Sequence, residues 1–279
     1  MEIAGTGETP SYADLDRPPL VARSLRTGVL RVPPWRELHV LNEVGSTNDV
    51  VVVAARAGEA EGLVVVAESQ TGGRGRLGRE WVSPPRAGIT MSMLLRPAVP
   101  VDRWSWLPLL VGLASARAVA ERTGLDVRLK WPNDLVVADR KLCGVLAEVL
   151  SGAVVVGLGL NVSTRRAELP RADATSVDLE LGADEVADRA PLLLAVLRAI
   201  GPDYLAWADA DGSPDVLAAA YRAACASIGR RVLVSLPTGE QVAGDAVDVD
   251  EHGRLVLRRA GGELVTFSAG DVTHAALDG

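Results

Sequence analysis

Apolar and polar positions along the chain fall into two textures, which change over near residue 227. In the first, "ELHVLNEV" (37–44) alternates in part and predicts a strand. Ser46 or Thr47 can then cap a helix, with Val51, Ala54 and Ala55 at helical spacing and Gly58 to close it. "LVVVAE" (63–68) and "GITMSMLLRP" (88–97) read as buried strands, the second ended by Pro97. "WSWLPLLVGLASARAVAERTG" (104–124) is a long apolar helix stopped by Gly124. Residues 127–162 are short β-type runs separated by turn residues, a meander, and 186–208 and 214–227 read as two further helices. From residue 228 the runs shorten. "RRVLVSL", "QVAGDAVDVD", "RLVLRRA" and "ELVTFS" are separated by "PTGE", "EHG" and "GG", the spacing of a small antiparallel barrel. Residues 1–34 have Pro, Gly and scattered charge without clear periodicity. The expected organisation is a loosely attached extension over 1–34, a main domain over 35–226 and a C-terminal domain over 227–279.

Composition narrows the class. Hydrophobic residues make up 48% of the 279, but with one Phe and three Tyr the core must be mostly Val, Leu and Ala. A net charge of −7 argues against a protein that coats nucleic acid. Cys143 and Cys225 form no C-x-x-C pair, and His39, His252 and His274 form no H-E-x-x-H. A disulfide framework, a cysteine-rich zinc site and a histidine-metal centre are therefore not expected. The N-terminal stretch is acidic and Pro-rich, unlike a signal peptide, and no apolar run is long enough for a bilayer. A soluble cytoplasmic protein is the expectation.

One stretch invites two cofactor readings. In "GGRGRLGREW" (72–81), Gly73–Gly78 matches G-x-G-x-x-G, and Gly73–Arg79 nearly matches the phosphate loop G-x-x-x-x-G-K-[ST]. The first needs a helix after the glycines, but "REWVSPPRAG" follows, and no acidic residue stands at the required interval. The second has Arg79 for its Lys and Glu80 for its Ser or Thr. What remains is a run of four glycines and three arginines, well suited to closing backbone and forked donors around an anion. Further on, Lys130, Asn133, Asp134 and Lys141 surround a short two-strand unit suited to a triphosphate and its metal, or to ordinary surface charge. Gly157 and Gly159 interrupt an apolar strand, as where another group comes close, with Asn161 beside them.

Taken in order, "STN" (46–48), "ESQTGGRGRLGREW" (68–81), "KWPND" (130–134), "KLCGVLAE" (141–148) and "GLGLNV" (157–162) closely resemble the biotin–protein ligases. The resemblance implies an α+β fold: a mixed β-sheet with flanking helices, of the class II synthetase-like biotin/lipoate ligase type, plus a small C-terminal SH3-like β-barrel. It implies activation of biotin by Mg-ATP to biotinyl-5′-AMP, and transfer to one lysine of the biotin carboxyl carrier domain of an acyl-CoA carboxylase. By match to the family motifs, Ser46, Thr47, Asn48, Gln70, Gly73, Arg74, Gly75, Arg76, Lys141, Gly144 and Gly157 are implied on the biotin side. Arg76, Arg79, Trp81, Lys130, Asn133 and Asn161 are implied on the ATP side. Arg74, Arg76, Lys141 and Asp134 are the catalytic candidates, Asp134 either holding Mg2+ or taking the acceptor lysine's proton. The Gly-Arg loop is expected to act as a lid. The partners expected are biotin, ATP and the carrier domain, with a homodimer possible and neither DNA nor membrane. A lipoate or octanoate ligase of related fold is the rival reading.

Overall fold

The structure is a computed structural model that describes residues 17–182 and 186–274. In chain order the elements are α1 (Ala22–Val29), β1 (Glu37–Leu41), α2 (Thr47–Arg56), β2 (Leu63–Ala67), β3 (Gly88–Leu95), α3 (Leu107–Thr123), β4 (Arg128–Lys130), β5 (Asp134–Val137), β6 (Arg140–Leu150) and β7 (Ala153–Asn161). Then follow α4 (Val177–Leu181), α5 (Arg189–Asp209), α6 (Asp215–Ala224), β8 (Arg231–Ser235), β9 (Gln241–Val249), β10 (Leu255–Arg258), β11 (Leu264–Phe267) and β12 (Asp271–His274). Strands β1 to β7 form one sheet in the order β1-β2-β3-β7-β6-β5-β4. Only β1 and β2 run parallel; every other pair is antiparallel, so the sheet is mixed.

Every residue of β2 is buried, because the sheet is covered on both faces. Side chains alternate between faces along a strand. Val64 and Val66 enter the larger core beneath α3 and α5, while Leu63 and Val65 meet Val51, Val52 and Ala55 of α2 on the other face. Along β7 the same alternation puts Val154, Val156, Leu158 and Leu160 in the larger core and Ala153 and Val155 under α2. The next residues on the α2 face are Gly157, Gly159 and Asn161, so the sheet surface drops away where the helix ends. Helix α3 stops as expected at Gly124, whose left-handed φ of 73° lets its N–H reach Ala120 O at 2.8 Å.

Two expectations need correction. The segment before β1 is not loosely attached over its described part: α1 buries Leu25 and Val29, and Leu20 and Trp35 are also buried. Trp35 Nε1 donates to Leu197 O at 2.8 Å, and Arg189 Nη2 to Pro18 O at 2.6 Å. Residues 1–16 lie outside the described residues. The stretch 104–124 is also not one α-helix; its first three residues belong to a 3₁₀ helix, Val101–Trp106, and α3 begins at Leu107. The C-terminal strands form a five-stranded antiparallel sheet of SH3-like type in the order β11-β10-β9-β8-β12. Among the described residues no helix is long and apolar enough to cross a membrane.

Candidate active site

The cavity opens on the α2 face, over the glycines of β6 and β7. It measures about 1090 Å³, the solvent of its open mouth included. Gly144 and Gly159 are register partners, and the Trp81 indole lies against them: a Cβ on Gly159 would stand 2.4 Å from Trp81 Cε2, and one on Gly144 3.5 Å from Cζ3. Trp81 Nε1 is buried without a protein partner. Burying such a donor is costly unless a ligand accepts from it.

At the α2 end, Ser46, Thr47 and Asn48 are all buried. Ser46 stands at the helix N-cap without making a side-chain cap, so its hydroxyl is not used to start the helix. Thr47 N and Oγ1 both donate to Gln70 Oε1, at 2.7 and 3.1 Å. Gly157 leaves room not for a ligand but for Asn48: a Cβ there would be 2.2 Å from Asn48 Oδ1.

The Gly-Arg loop is a small hairpin rather than a phosphate-binding turn before a helix. Trp81 N donates to Gly73 O at 2.9 Å and Gly75 N to Arg79 O at 2.7 Å. Leu77 and Gly78 take left-handed φ values of 56° and 73° to turn the chain. Both nucleotide fingerprints in this stretch are thus coincidental. Gly73 is required by the hairpin, since a Cβ would meet Trp81 O at 2.4 Å; it does not line the cavity.

Each arginine of the loop is docked on a different element. Arg74 Nη2 reaches Asp49 Oδ1 of α2 at 2.6 Å and Glu148 Oε1 of β6 at 3.1 Å. Arg76 Nη1 donates to Asn133 Oδ1 at 3.2 Å and to Gly270 O at 3.3 Å. Burial holds the Arg76 guanidinium below its ordinary pKa, opposed by the charges of Asp271 and Asp134. Arg79 pairs with Asp271 of the C-terminal domain.

Across from the loop, Lys141 Nζ lies 2.7 Å from Asp134 Oδ1 and 5.9 Å from the centre of the Trp81 ring. Lys141 is held through its backbone: its N–H donates to Asp173 O at 2.7 Å and its carbonyl accepts from Thr175 N at 2.8 Å. Asn161 Nδ2 fixes the same segment by donating to Thr175 O at 2.9 Å. Among the described residues no group of three or more His, Cys, Asp or Glu could hold a metal ion by itself. Asp134 alone suits Mg2+ that arrives on a nucleotide, since that ion keeps several waters and binds one or two carboxylates plus phosphates.

Of the residues expected from sequence, Ser46, Thr47, Asn48, Gln70, Arg74, Gly75, Arg76, Arg79, Trp81, Asn133, Asp134, Lys141, Gly144, Gly157 and Asn161 line this one cavity. Lys130 does not. It sits on β4 as the register partner of Asp134, beside the lining, and its charge also reaches Asp173 and His274. Sequence reasoning missed Ser92, Asp49, Glu148, Arg171 and Asp271. Ser92 carried a signal, a polar residue amid an apolar strand, and Glu148 closes a quoted motif; Asp271 had none, since it comes from the other domain.

Two family models match the chain: the Biotin/lipoate A/B protein ligase family over residues 44–164 and the Biotin protein ligase C terminal domain over 227–274. A Mycobacterium tuberculosis protein named biotin–[acetyl-CoA-carboxylase] ligase is 44% identical over 264 residues, covering 92% of this chain and 97% of that one. The Bacillus subtilis bifunctional ligase/repressor BirA is 29% identical, over 81% of this chain and 70% of its own. Among solved structures, a biotin protein ligase from Aquifex aeolicus in complex with biotin and ATP superposes with a TM-score of 0.73 at 28% identity, covering 86% of this chain and 99% of that chain. The Leishmania major biotin protein ligase with biotinyl-5-AMP gives 0.58 at 26% identity, over 85% and 100%.

Proposed function

This chain belongs to the biotin–protein ligase family, and on that premise we propose how its cavity activates biotin with ATP and passes the biotinyl group to a lysine of a carboxylase carrier domain. The observation that carries the residue roles is convergence: Arg76, Lys141 and Trp81 meet in one cavity with the hydroxyl-rich end of α2.

In the first step a biotin carboxylate oxygen attacks the α-phosphorus of ATP, the bond to pyrophosphate breaks, and a mixed anhydride, biotinyl-5′-AMP, remains. Two anions must first be brought together. Lys141 and Arg76 lower that repulsion and oppose the charge that builds on phosphorus, in a site where water is largely displaced. Arg76 suits this best of the loop arginines: it is half-buried and bonded only to neutral acceptors. Trp81 offers its ring to the adenine side. Ser46, Thr47 and Gln70 supply matched donors and acceptors for a ureido ring at the α2 end. Asp134 would hold Mg2+, which neutralises the phosphates when bound. In the second step the neutral amine of the acceptor lysine attacks the acyl carbon, AMP leaves, and an amide forms with loss of one proton. The reading places the enzyme in the cytoplasm, with no DNA or membrane partner; the net charge of −7 supports this.

The test is pyrophosphate release by the purified chain with biotin and Mg-ATP. Release with biotin, and none above background with lipoate or octanoate, is the expected result. Release with lipoate alone would transfer the chain to the rival activity.

A further inference from the structure

A chain of polar groups runs beneath the cavity floor and ends on the Gly-Arg loop. Ser92, fully buried on β3 opposite Gly157, places its Oγ 2.6 Å from Asn48 Oδ1 and 2.7 Å from Thr47 Oγ1. Asn48 Nδ2 donates to Glu148 Oε1 at 2.7 Å, and that oxygen also accepts from Arg74 Nη2 at 3.1 Å. The sequence holds this arrangement open at a specific cost in packing. Gly157 has no side chain because Asn48 Oδ1 occupies the place a Cβ would take. Arg76, Lys141 and Asp134 are not members of the chain; their bonds go elsewhere.

Ser92 has one hydroxyl proton and two acceptors within reach. An N–H donor arriving at Thr47 Oγ1, such as one of a ureido ring, competes with that proton for the lone pairs of the hydroxyl and biases it toward Asn48. Fixing the Asn48 amide in turn fixes the Glu148 oxygen that Arg74 needs, and bonds in such a chain strengthen one another. We propose that Ser92, Asn48 and Glu148 form a positioning relay, through which occupancy of the ring end of the cavity tightens the docking of the Gly-Arg loop by Arg74. Arg74 is accordingly the latch of the loop, while Arg76 serves the reacting anions. The proposal rests on the reading of this cavity as a biotin site.

The experiment compares Glu148→Gln, Ser92→Ala and their double variant with the unaltered chain. The readouts are biotin affinity, KM for ATP, and the rate of tryptic cleavage after Arg74, Arg76 and Arg79 with and without biotin. Glu148→Gln is near-isosteric at a partly exposed site, and a thermal midpoint checks that it folds. Each single variant is expected to weaken biotin binding by about fivefold and to speed loop cleavage by a similar factor, with KM for ATP within about twofold. The double variant is expected to fall little below the worse single one, because coupled groups are non-additive. Multiplying losses, or a change in KM for ATP at unchanged biotin affinity and loop cleavage, would overturn the relay. An unaltered chain that binds no biotin refutes the site reading instead. In that case the ligand-free cleavage rate of Glu148→Gln still decides the relay's Arg74 end: a faster rate supports it and an unchanged one sinks it.

Discussion

Gly159→Ala isolates what the glycine platform under Trp81 contributes. The added Cβ would lie 2.4, 2.6 and 2.7 Å from Trp81 Cε2, Cζ2 and Nε1. Carbon contacts rest at about 3.5 Å, so the indole must retreat by about 1 Å. The sheet behind Gly159 is packed with Leu158 and Leu160, so the movement goes into the cavity. Overpacking a core costs about 1–3 kcal/mol, and the cavity should relieve enough to keep the loss near the lower figure. The catalytic loss should be larger, since misplacement by about 1 Å can cost about a hundredfold. Gly144→Ala is the control on the neighbouring strand: its Cβ would sit at 3.4 Å from the flexible end of Lys141 and 3.5 Å from Trp81, ordinary contact distances. Adenylate formation from biotin and ATP, followed by pyrophosphate release, should fall about a hundredfold in Gly159→Ala and less than about threefold in Gly144→Ala. Equal effects in the two variants, or greater damage in Gly144→Ala, would refute the assignment of Trp81 and its seat.

Three further outcomes follow from the same geometry. His274, between the domains, has Nε2 3.1 Å from Ser227 Oγ and Nδ1 2.7 Å from Arg230 Nη1 and 3.0 Å from Asp139 Oδ1. Burial, with Lys130 and Arg230 alongside, holds its pKa below the ordinary 6.5 against the pull of Asp139. The unfolded chain then binds the proton first, so stability should drop as pH falls below about 6.5, by at most about 1.4 kcal/mol per pH unit; thermal unfolding of His274→Gln should lose that part of the slope. Asp271→Asn breaks a partly exposed ion pair with Arg79, so stability should change by less than about 1 kcal/mol, while KM for ATP falls a few-fold as Arg79 no longer exchanges partners. A raised KM would count against that. Arg189→Ala strands the buried carboxylate of Glu68, 2.7 Å away, and should cost about 3–5 kcal/mol in denaturant unfolding; a loss under about 1 kcal/mol would contradict the buried pairing.

Much of this was legible in the chain because strand alternation and site chemistry coincide. "VVVGLGLN" sends every second residue into the larger core and thins the opposite face to Gly157 and Gly159, so the same letters announce a strand and a cleft. The arginines of "GGRGRLGREW" could be assigned to an anion site, but not their separate docking. Asp49, Glu148 and Asp271 lie 25, 74 and 192 residues from their arginine partners, distances over which no local pattern speaks. Lys130 stands beside the lining rather than in it: the turn from β4 to β5 makes it the register partner of Asp134, and its charge is also felt at His274. Gly157 seemed to make room for a ligand and instead seats Asn48, which only the register of β3 against β7 reveals. Helix α1 escaped notice because its eight residues bury only Leu25 and Val29.

The central claim is that Lys141 and Arg76 draw two anions together in one cavity. Its most direct test is the mass of a carboxylase carrier domain after incubation with the purified chain, biotin and Mg-ATP. The account requires a gain of one biotinyl group on a single lysine, reduced at least about a hundredfold in Lys141→Ala and in Arg76→Ala while both variants remain folded. An unmodified carrier domain, or full modification by either variant, would contradict it.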